Sequence, residues 1–207
     1  MRVGILTSRK QWFVPYARKL VRNIEDSKLY FDYKSIESLD VLFILSYHKI
    51  IPFEFLNINK HNIVIHASAL PKGKGWAPMF WQILEGKDKI PFTMFEASSG
   101  IDDGDIYMQR NLILNGLELN QELRAKQAQI IIDMCLEFLK DYNIYSTPKK
   151  QIGEETFYSK RTFKDSELDT HKSIDEQFNL LRIVDNKSYP AFFIKNNKKY
   201  IIKIEEA

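Results

Sequence analysis

Asp40-Val41-Leu42-Phe43-Ile44-Leu45 is apolar without a break after its first residue. A strand with one wet face alternates polar and apolar side chains, so an unbroken run of this length fits a parallel strand covered on both faces. Val3 to Thr7 and Asn62 to His66 are two further short runs rich in β-branched residues. Between the first two runs, Phe13, Ala17, Leu20 and Val21 recur at helical spacing and predict an amphipathic helix from about Val14 to Ile24. Strands alternating with helices imply an α/β fold, a mostly parallel sheet with helices packed on it.

The pattern continues along the chain. Leu29 to Tyr33 is a candidate second strand, and Pro52 opens a loop with a short helix. Pro78 suits the first turn of a helix that runs through Phe80, Trp81, Ile83 and Leu84 to a stop at Gly86. Ile90 to Ala97 and Ile106 to Leu114 are strand-like on either side of a turn from Ser98 to Gly104. Asn120 to Leu139 is the longest helix expected, with Leu123, Gln127, Ile130, Ile131, Met134 and Phe138 on one face. After about Tyr145 the periodicity weakens: 148–175 is polar, Ser173 to Val184 predicts a helix, and Ala191 to Ile194 with Tyr200 to Ile204 predict a hairpin around Asn196-Asn197. The expected organisation is therefore a main domain over 1–145 and a small C-terminal α+β subdomain over 146–207.

Composition narrows the class. Thirty basic against 27 acidic residues leave a formal charge of only +3, a weak footprint for a nucleic-acid partner. Cys135 is the sole cysteine, which excludes a disulfide framework and a cysteine-rich metal site and fits a reducing compartment. The longest apolar runs are strand-length, far short of the ~20 residues of a membrane helix. Met1 to Leu6 lacks the long apolar stretch of a signal peptide. The expectation is a cytoplasmic protein with no metal, nucleic-acid or membrane partner.

Three features could carry chemistry. His66 closes a predicted buried strand, and ligands of open α/β sheets bind beyond the carboxyl ends of strands. A histidine there suits general acid–base work, or it is a loop histidine satisfied by a backbone carbonyl. Gly100-Ile101-Asp102-Asp103-Gly104-Asp105 could be a solvated turn, a cation site or the holder of a catalytic group, and it lacks the ligand spacing of a helix–loop–helix calcium site. Pro71-Lys72-Gly73-Lys74-Gly75 lacks the glycine spacing and the Lys-Ser/Thr ending of a phosphate-cradling loop.

Taken together, His66-Ala67-Ser68-Ala69-Leu70-Pro71, Gly75-Trp76-Ala77-Pro78 and Ile101-Asp102-Asp103-Gly104-Asp105 resemble the signature of the formyl-folate-dependent formyltransferases, with the 36 positions from His66 to Asp102 matching the family interval without gaps. Asp40 through Pro52 is similar to the preceding strand and folate-contacting loop. The resemblance covers 38–110 well and 1–37 in outline. It implies a Rossmann-like sheet and 10-formyltetrahydrofolate as co-substrate.

The C-terminal part narrows the resemblance. Lys160-Arg161-Thr162, Asp165-Ser166, Leu168-Asp169, Leu181-Arg182 and Tyr189-Pro190-Ala191-Phe192 are similar to the tail of sugar N-formyltransferases acting on nucleotide-linked 4-amino sugars, though Thr170 stands where an aromatic residue is usual. Methionyl-tRNA formyltransferases carry a larger C-terminal domain for their tRNA, and glycinamide ribonucleotide transformylase lacks this tail. The implied partner is thus a nucleotide-linked amino sugar, with a transformylase-like enzyme or a folate-binding module of weakened catalysis as alternatives. The oligomeric state is open, a homodimer included.

The resemblance also implies roles. His66 is the proton shuttle and Asp102 orients it. The family's oxyanion-stabilising Asn lies two residues before the His, where this chain has Val64. Asn62 shares that strand face with Val64 and His66, but four strand residues span about 13 Å, too far to share one oxyanion with His66. His48 is a candidate for the missing donor. Folate-side contacts fall on His48, Lys49, Ile50, Ser98, Ser99, Gly100 and Ile101, with Trp76 as a flat stacking surface. Lys72, Lys74, Arg182 and Tyr189 are the expected substrate-side contacts, the three cations facing the diphosphate.

Overall fold

The computed structural model describes residues 1–207. Its elements in chain order begin with β1 (Val3–Leu6), α1 (Val14–Arg22), β2 (Ser27–Tyr30), β3 (Val41–Ile44), α2 (Phe53–Leu56) and β4 (His61–His66). They continue with β5 (Lys74–Gly75), α3 (Pro78–Leu84), β6 (Lys89–Glu96), β7 (Ile106–Ile113), α4 (Asn120–Lys140) and α5 (Tyr142–Tyr145). The last are β8 (Phe157–Tyr158), α6 (Phe178–Ile183), β9 (Ala191–Lys195) and β10 (Lys198–Ile202).

Six strands form the central sheet in the order β2-β1-β3-β4-β6-β7. β1 to β4 pair in parallel, as the unbroken apolar runs of β1 and β3 lead one to expect, with the half-exposed β2 at the sheet edge, whereas β6 and β7 join antiparallel. Val41 to Leu45 is buried throughout. Its side chains alternate between two clusters: Val41, Phe43 and Leu45 join the 27-residue main core, and Leu42 and Ile44 the seven-residue cluster on the opposite face. α4 covers the main face through Leu123, Ala128, Ile131, Ile132, Met134, Cys135 and Phe138, and Phe138 meets Phe43 edge-on at 6.2 Å. Burying each of the Leu, Ile, Met and Phe side chains contributes roughly 1.5–3 kcal/mol.

Helix ends follow local chemistry. α1 opens with a proline in its first turn and ends on Lys19 and Arg22 beside the negative end of its dipole. The Glu122 carboxylate accepts a hydrogen bond from the Leu119 N–H and closes the start of α4.

Two expectations are corrected. The helix expected over 173–184 is broken into a 3-10 turn at Asp175–Gln177 followed by the short α6, because the polar stretch before Phe178 has no apolar face to bury. The 71–78 segment is more than a loop, since β5 pairs in parallel with β8. Ile106 also bridges Lys149, so the segment following α5 is threaded back onto the first part of the chain. The β9–β10 hairpin forms around Asn196-Asn197 as expected, both in left-handed backbone. Leu168, Leu181, Val184 and Ala191 form its small cluster, while Ile183 belongs to the main core.

Candidate active site

His66 is the last residue of β4, beside Thr93 of β6, and its side chain is 10% exposed. Strand alternation sends Ile63 and Ile65 to the main core and leaves Asn62, Val64 and His66 on the other face. Along that face the environment grades from polar to apolar to reactive. Asn62 is buried, donating to the Leu56 carbonyl and to Glu96, so it is spent in the fold. Val64 packs in the smaller cluster with Ile44, Tyr47, Ile51 and Ala97. His66 faces a turn.

That turn determines what the imidazole can do. His66 Nε2 lies 2.8 Å from the Gly73 carbonyl oxygen. A carbonyl only accepts, so Nε2 carries the proton and Nδ1 keeps the lone pair. Asp102 Oδ2 stands 3.7 Å from the same nitrogen, a charge contact, and accepts the Gly75 N–H at 2.9 Å. The carboxylate can thus stabilise a positive imidazolium while being held by a backbone amide. Asp102 itself sits at φ 51° and Gly73 at φ 75°. A Cβ on Gly73 would meet Ser68 Cβ at 2.9 Å, so glycine is required where the carbonyl turns toward His66.

The loops flanking this pair present free backbone donors. His48 N–H reaches Ser8 Oγ and Gly100 N–H reaches Ser98 Oγ, but the N–H groups of Lys49, Ile50, Ile51, Ser98, Ser99 and Ile101 meet no protein acceptor. Ser98 Oγ donates to Asp103. These donors beside the apolar cluster of Tyr47, Ile51, Val64 and Ala97 fit a flat heterocycle rich in hydrogen-bonding groups.

More than half of the chain, residues 18–134, matches the family described as formyl transferase. The chain belongs to the formyl transferase family. Methionyl-tRNA formyltransferase of Thermodesulfovibrio yellowstonii is 31% identical over 179 residues, 83% of this chain and 57% of the relative. The enzyme of the same name from Francisella philomiragia is 33% identical over 138 residues, 66% and 44% of the two chains. This formyl transferase chain thus spans about half the length of the curated relatives it matches. Two solved structures share its fold. Methionyl-tRNA formyltransferase from Clostridium thermocellum superposes with a TM-score of 0.83 at 23% identity, over 100% of this chain and 94% of that one. A 4-N formyltransferase from Francisella tularensis gives 0.76 at 18% identity, over 99% and 97%.

The expected site residues of this formyl transferase divide into three groups. His66 and Asp102 meet. His48, Lys49, Ile50, Ser99, Gly100, Ile101, Trp76, Lys72 and Tyr189 lie exposed and Ser98 half-buried, Trp76 with the Lys160 ammonium 4.9 Å over its ring. Lys74 and Arg182 are corrections. Lys74 is 2% exposed and ion-paired with Glu155 at 2.6 Å, so its charge is consumed between β5 and β8. Arg182 is 1% exposed, 3.2 Å from Glu118 and 3.6 Å from Asp88, and donates to Asn179. Arg182 cannot turn outward to a diphosphate without leaving the buried Glu118 carboxylate, nor Lys74 without breaking its pair with Glu155. The Gly73 carbonyl, Gly75 N–H, Gln151 and Thr156 were not foreseen as parts of the site. The positive φ needed at Gly73 was a local signal; Gly75 acts through its backbone N–H, and the side chains of Gln151 and Thr156 bond backbone groups far away in sequence, which leaves no residue pattern.

Proposed function

We propose that this chain transfers a formyl group from 10-formyltetrahydrofolate to an amine, with a nucleotide-linked deoxyamino sugar as acceptor. The observation that carries the reading is the His66–Asp102 pair, with Nε2–H committed to the Gly73 carbonyl and the lone pair of Nδ1 left for a proton. Folate held by the free N–H groups of Lys49, Ile50, Ile51, Ser98, Ser99 and Ile101 would supply an activated formyl group. The residues of the chain do the rest. His66 Nδ1 accepts the proton released by the attacking amine, Asp102 holds the resulting imidazolium, and the same Nδ1–H returns the proton to the departing nitrogen.

The sugar acceptor rests on the tail residues Lys160 to Thr162 and Tyr189 to Phe192. The small net charge supports it, because tRNA binding draws heavily on basic contacts. A second reading, methionyl-tRNA as acceptor, is favoured by the names of the curated relatives. A third is a folate-binding module with weakened transfer, favoured by Val64, whose apolar side chain can donate no hydrogen bond to an oxyanion.

The deciding experiment offers the chain 10-formyltetrahydrofolate with a panel of nucleotide-linked 4-amino sugars, methionyl-tRNA and glycinamide ribonucleotide, reading products by mass spectrometry. Formylation of one sugar nucleotide supports the proposal. Formylation of methionyl-tRNA or of glycinamide ribonucleotide alone replaces the acceptor, and folate binding without any product selects the module.

A further inference from the structure

Residues 151–158 lie beyond the part of the chain that matches the family, yet they grip both loops that carry the reactive pair. Thr156 brackets the His66 loop on three bonds. Its Oγ1 accepts the Gly73 N–H at 2.8 Å, its carbonyl accepts the Lys74 N–H at 2.9 Å, and its N–H donates to the Pro71 carbonyl at 3.4 Å. Tyr158 extends the grip by accepting the Trp76 N–H on its carbonyl at 3.1 Å, while the buried Lys74 ammonium pairs beside it with the half-exposed Glu155. Gln151 holds the other loop. Its Nε2 donates to the Asp102 carbonyl at 2.9 Å and the Gly104 carbonyl at 2.8 Å, on either side of the bend that puts Asp102 in left-handed backbone.

The geometry points to Thr156 and Gln151 as positioning residues: Thr156 aims the Gly73 carbonyl that selects the His66 tautomer, and Gln151 holds the Asp102 turn against that histidine. The physical reason is that neither loop orients itself. Gly73 is in a left-handed conformation and adds no side chain of its own; the peptide on its N-terminal side is held by the bond from its N–H to Thr156 Oγ1, and the peptide that carries its carbonyl by the bond from the Lys74 N–H to the Thr156 carbonyl. Without the Oγ1 bond the Lys72–Gly73 peptide is released, the left-handed turn at Gly73 can relax and draw its carbonyl from Nε2, and both imidazole tautomers become available. The Asp102 carboxylate is steadied by the Gly75 N–H, which belongs to the same β5 that pairs with β8. One segment therefore registers the two halves of the site to each other.

The inference rests on the proposed formyl transfer for its kinetic readout, and a spectroscopic readout separates the two. The four histidines are labelled with ¹⁵N, and the His66 signals are assigned by their loss in His66→Gln. In the native chain the His66 signals should be those of an Nε2–H tautomer with Nδ1 unprotonated, at a pH where the ring is neutral. Thr156→Val should move them toward a mixture of tautomers, and Thr156→Ser, which keeps the acceptor oxygen, should restore them. Transfer by Thr156→Val should show a kcat lowered by about 10- to 100-fold with the KM for the amine unchanged, the range expected for slight misplacement of a reacting group. Gln151→Leu leaves the β5–β8 pairing untouched and should shift the Gly75 amide signal, because its acceptor on Asp102 moves. Unchanged His66 signals in a folded Thr156→Val, or an unchanged Gly75 signal in Gln151→Leu, overturn the inference whether or not the chain transfers formyl groups. If Thr156→Val does not fold, the Gln151→Leu measurement alone decides. Tautomer mixing in a chain that transfers nothing would uphold the positioning and remove the proposed function instead.

Discussion

Nε2 of His66 stands 3.7 Å from Oδ2 of Asp102, beyond direct hydrogen-bond reach yet close enough for charge to matter. The gap is explained by competition. The Gly73 carbonyl takes the Nε2 proton, and the Gly75 N–H takes the carboxylate oxygen. Asp102 is therefore placed to respond to charge on the imidazole while the tautomer is set by the backbone.

His66→Ala and Asp102→Asn should separate these roles. Under the proposed function, His66→Ala lowers kcat by about 10²–10⁴, the usual contribution of a general acid–base group. Asp102→Asn keeps an acceptor for Gly75 but removes the charge, and should lower kcat less than His66→Ala. Both variants should retain the native circular-dichroism spectrum. Equal activity of the native chain and both variants would remove the pair from the mechanism.

Val64→Asn tests the missing oxyanion donor. Under the proposed function an amide at this position, on the same strand face as His66, should raise kcat by up to about 10²–10³. The same change places an amide against Ile44, Tyr47, Ile51 and Ala97, and should cost about 1–3 kcal/mol of stability in urea unfolding. A loss of stability with no gain in rate would mean that a backbone N–H already serves the oxyanion.

Arg182→Ala should act on folding. It removes a 1%-exposed guanidinium and leaves Glu118, itself 2% exposed, with Lys126 as its remaining cation. Breaking a buried pair from one side typically costs about 3–5 kcal/mol. Substrate KM should be unchanged in whatever fraction remains folded, and a raised KM at native stability would return Arg182 to the substrate site.

The buried polar chain beneath the site gives a pH prediction. Tyr142 and Tyr107 hydroxyls lie 2.7 and 2.9 Å from the two nitrogens of His61, and Tyr107 donates to Glu96. Burial raises the Glu96 carboxyl above its ordinary 4.5, although hydrogen bonds from Tyr107 and Asn62 oppose the shift. Burial, with Lys60 nearby, lowers His61 below 6.5. A raised carboxyl favours the folded state at low pH, and that stability is lost as pH rises through the folded value. The lowered His61 works oppositely: its contribution is present above 6.5 and is lost as pH falls through its folded value. Glu96→Gln removes only the first effect, so its stability relative to the native chain should increase between about pH 4.5 and pH 7.5 in urea titrations. A difference that stays constant or shrinks with pH would contradict the burial argument.

The legible parts of the chain were those where one residue type implies one environment. The run from Val41 to Leu45 can only be covered on both faces, Pro78 and Gly86 bracket α3, and the apolar stripe of α4 needs a sheet to lie on. The clasp formed by 149–158 was illegible because its bonds, from backbone and side chains alike, reach mostly backbone groups over long separations, and its polar side chains carry no period. The same separation hid Arg182 and Lys74. A cation paired with Glu118, 64 positions away, or with Glu155, 81 away, looks in sequence like any surface cation. His66 and Asp102 were found through the ordered spacing of their motifs, and the sequence could not name the Gly73 carbonyl as the group that fixes the tautomer.

The most direct test of formyl transfer uses 10-formyltetrahydrofolate carrying a ¹³C-labelled formyl group, incubated with the native chain and a nucleotide-linked 4-amino sugar and followed by NMR. The account predicts that the label leaves the folate and appears as an amide formyl on the sugar, at a rate that falls with His66→Ala. Label that stays on the folate across the sugar panel, or that moves equally fast with His66→Ala, would contradict it.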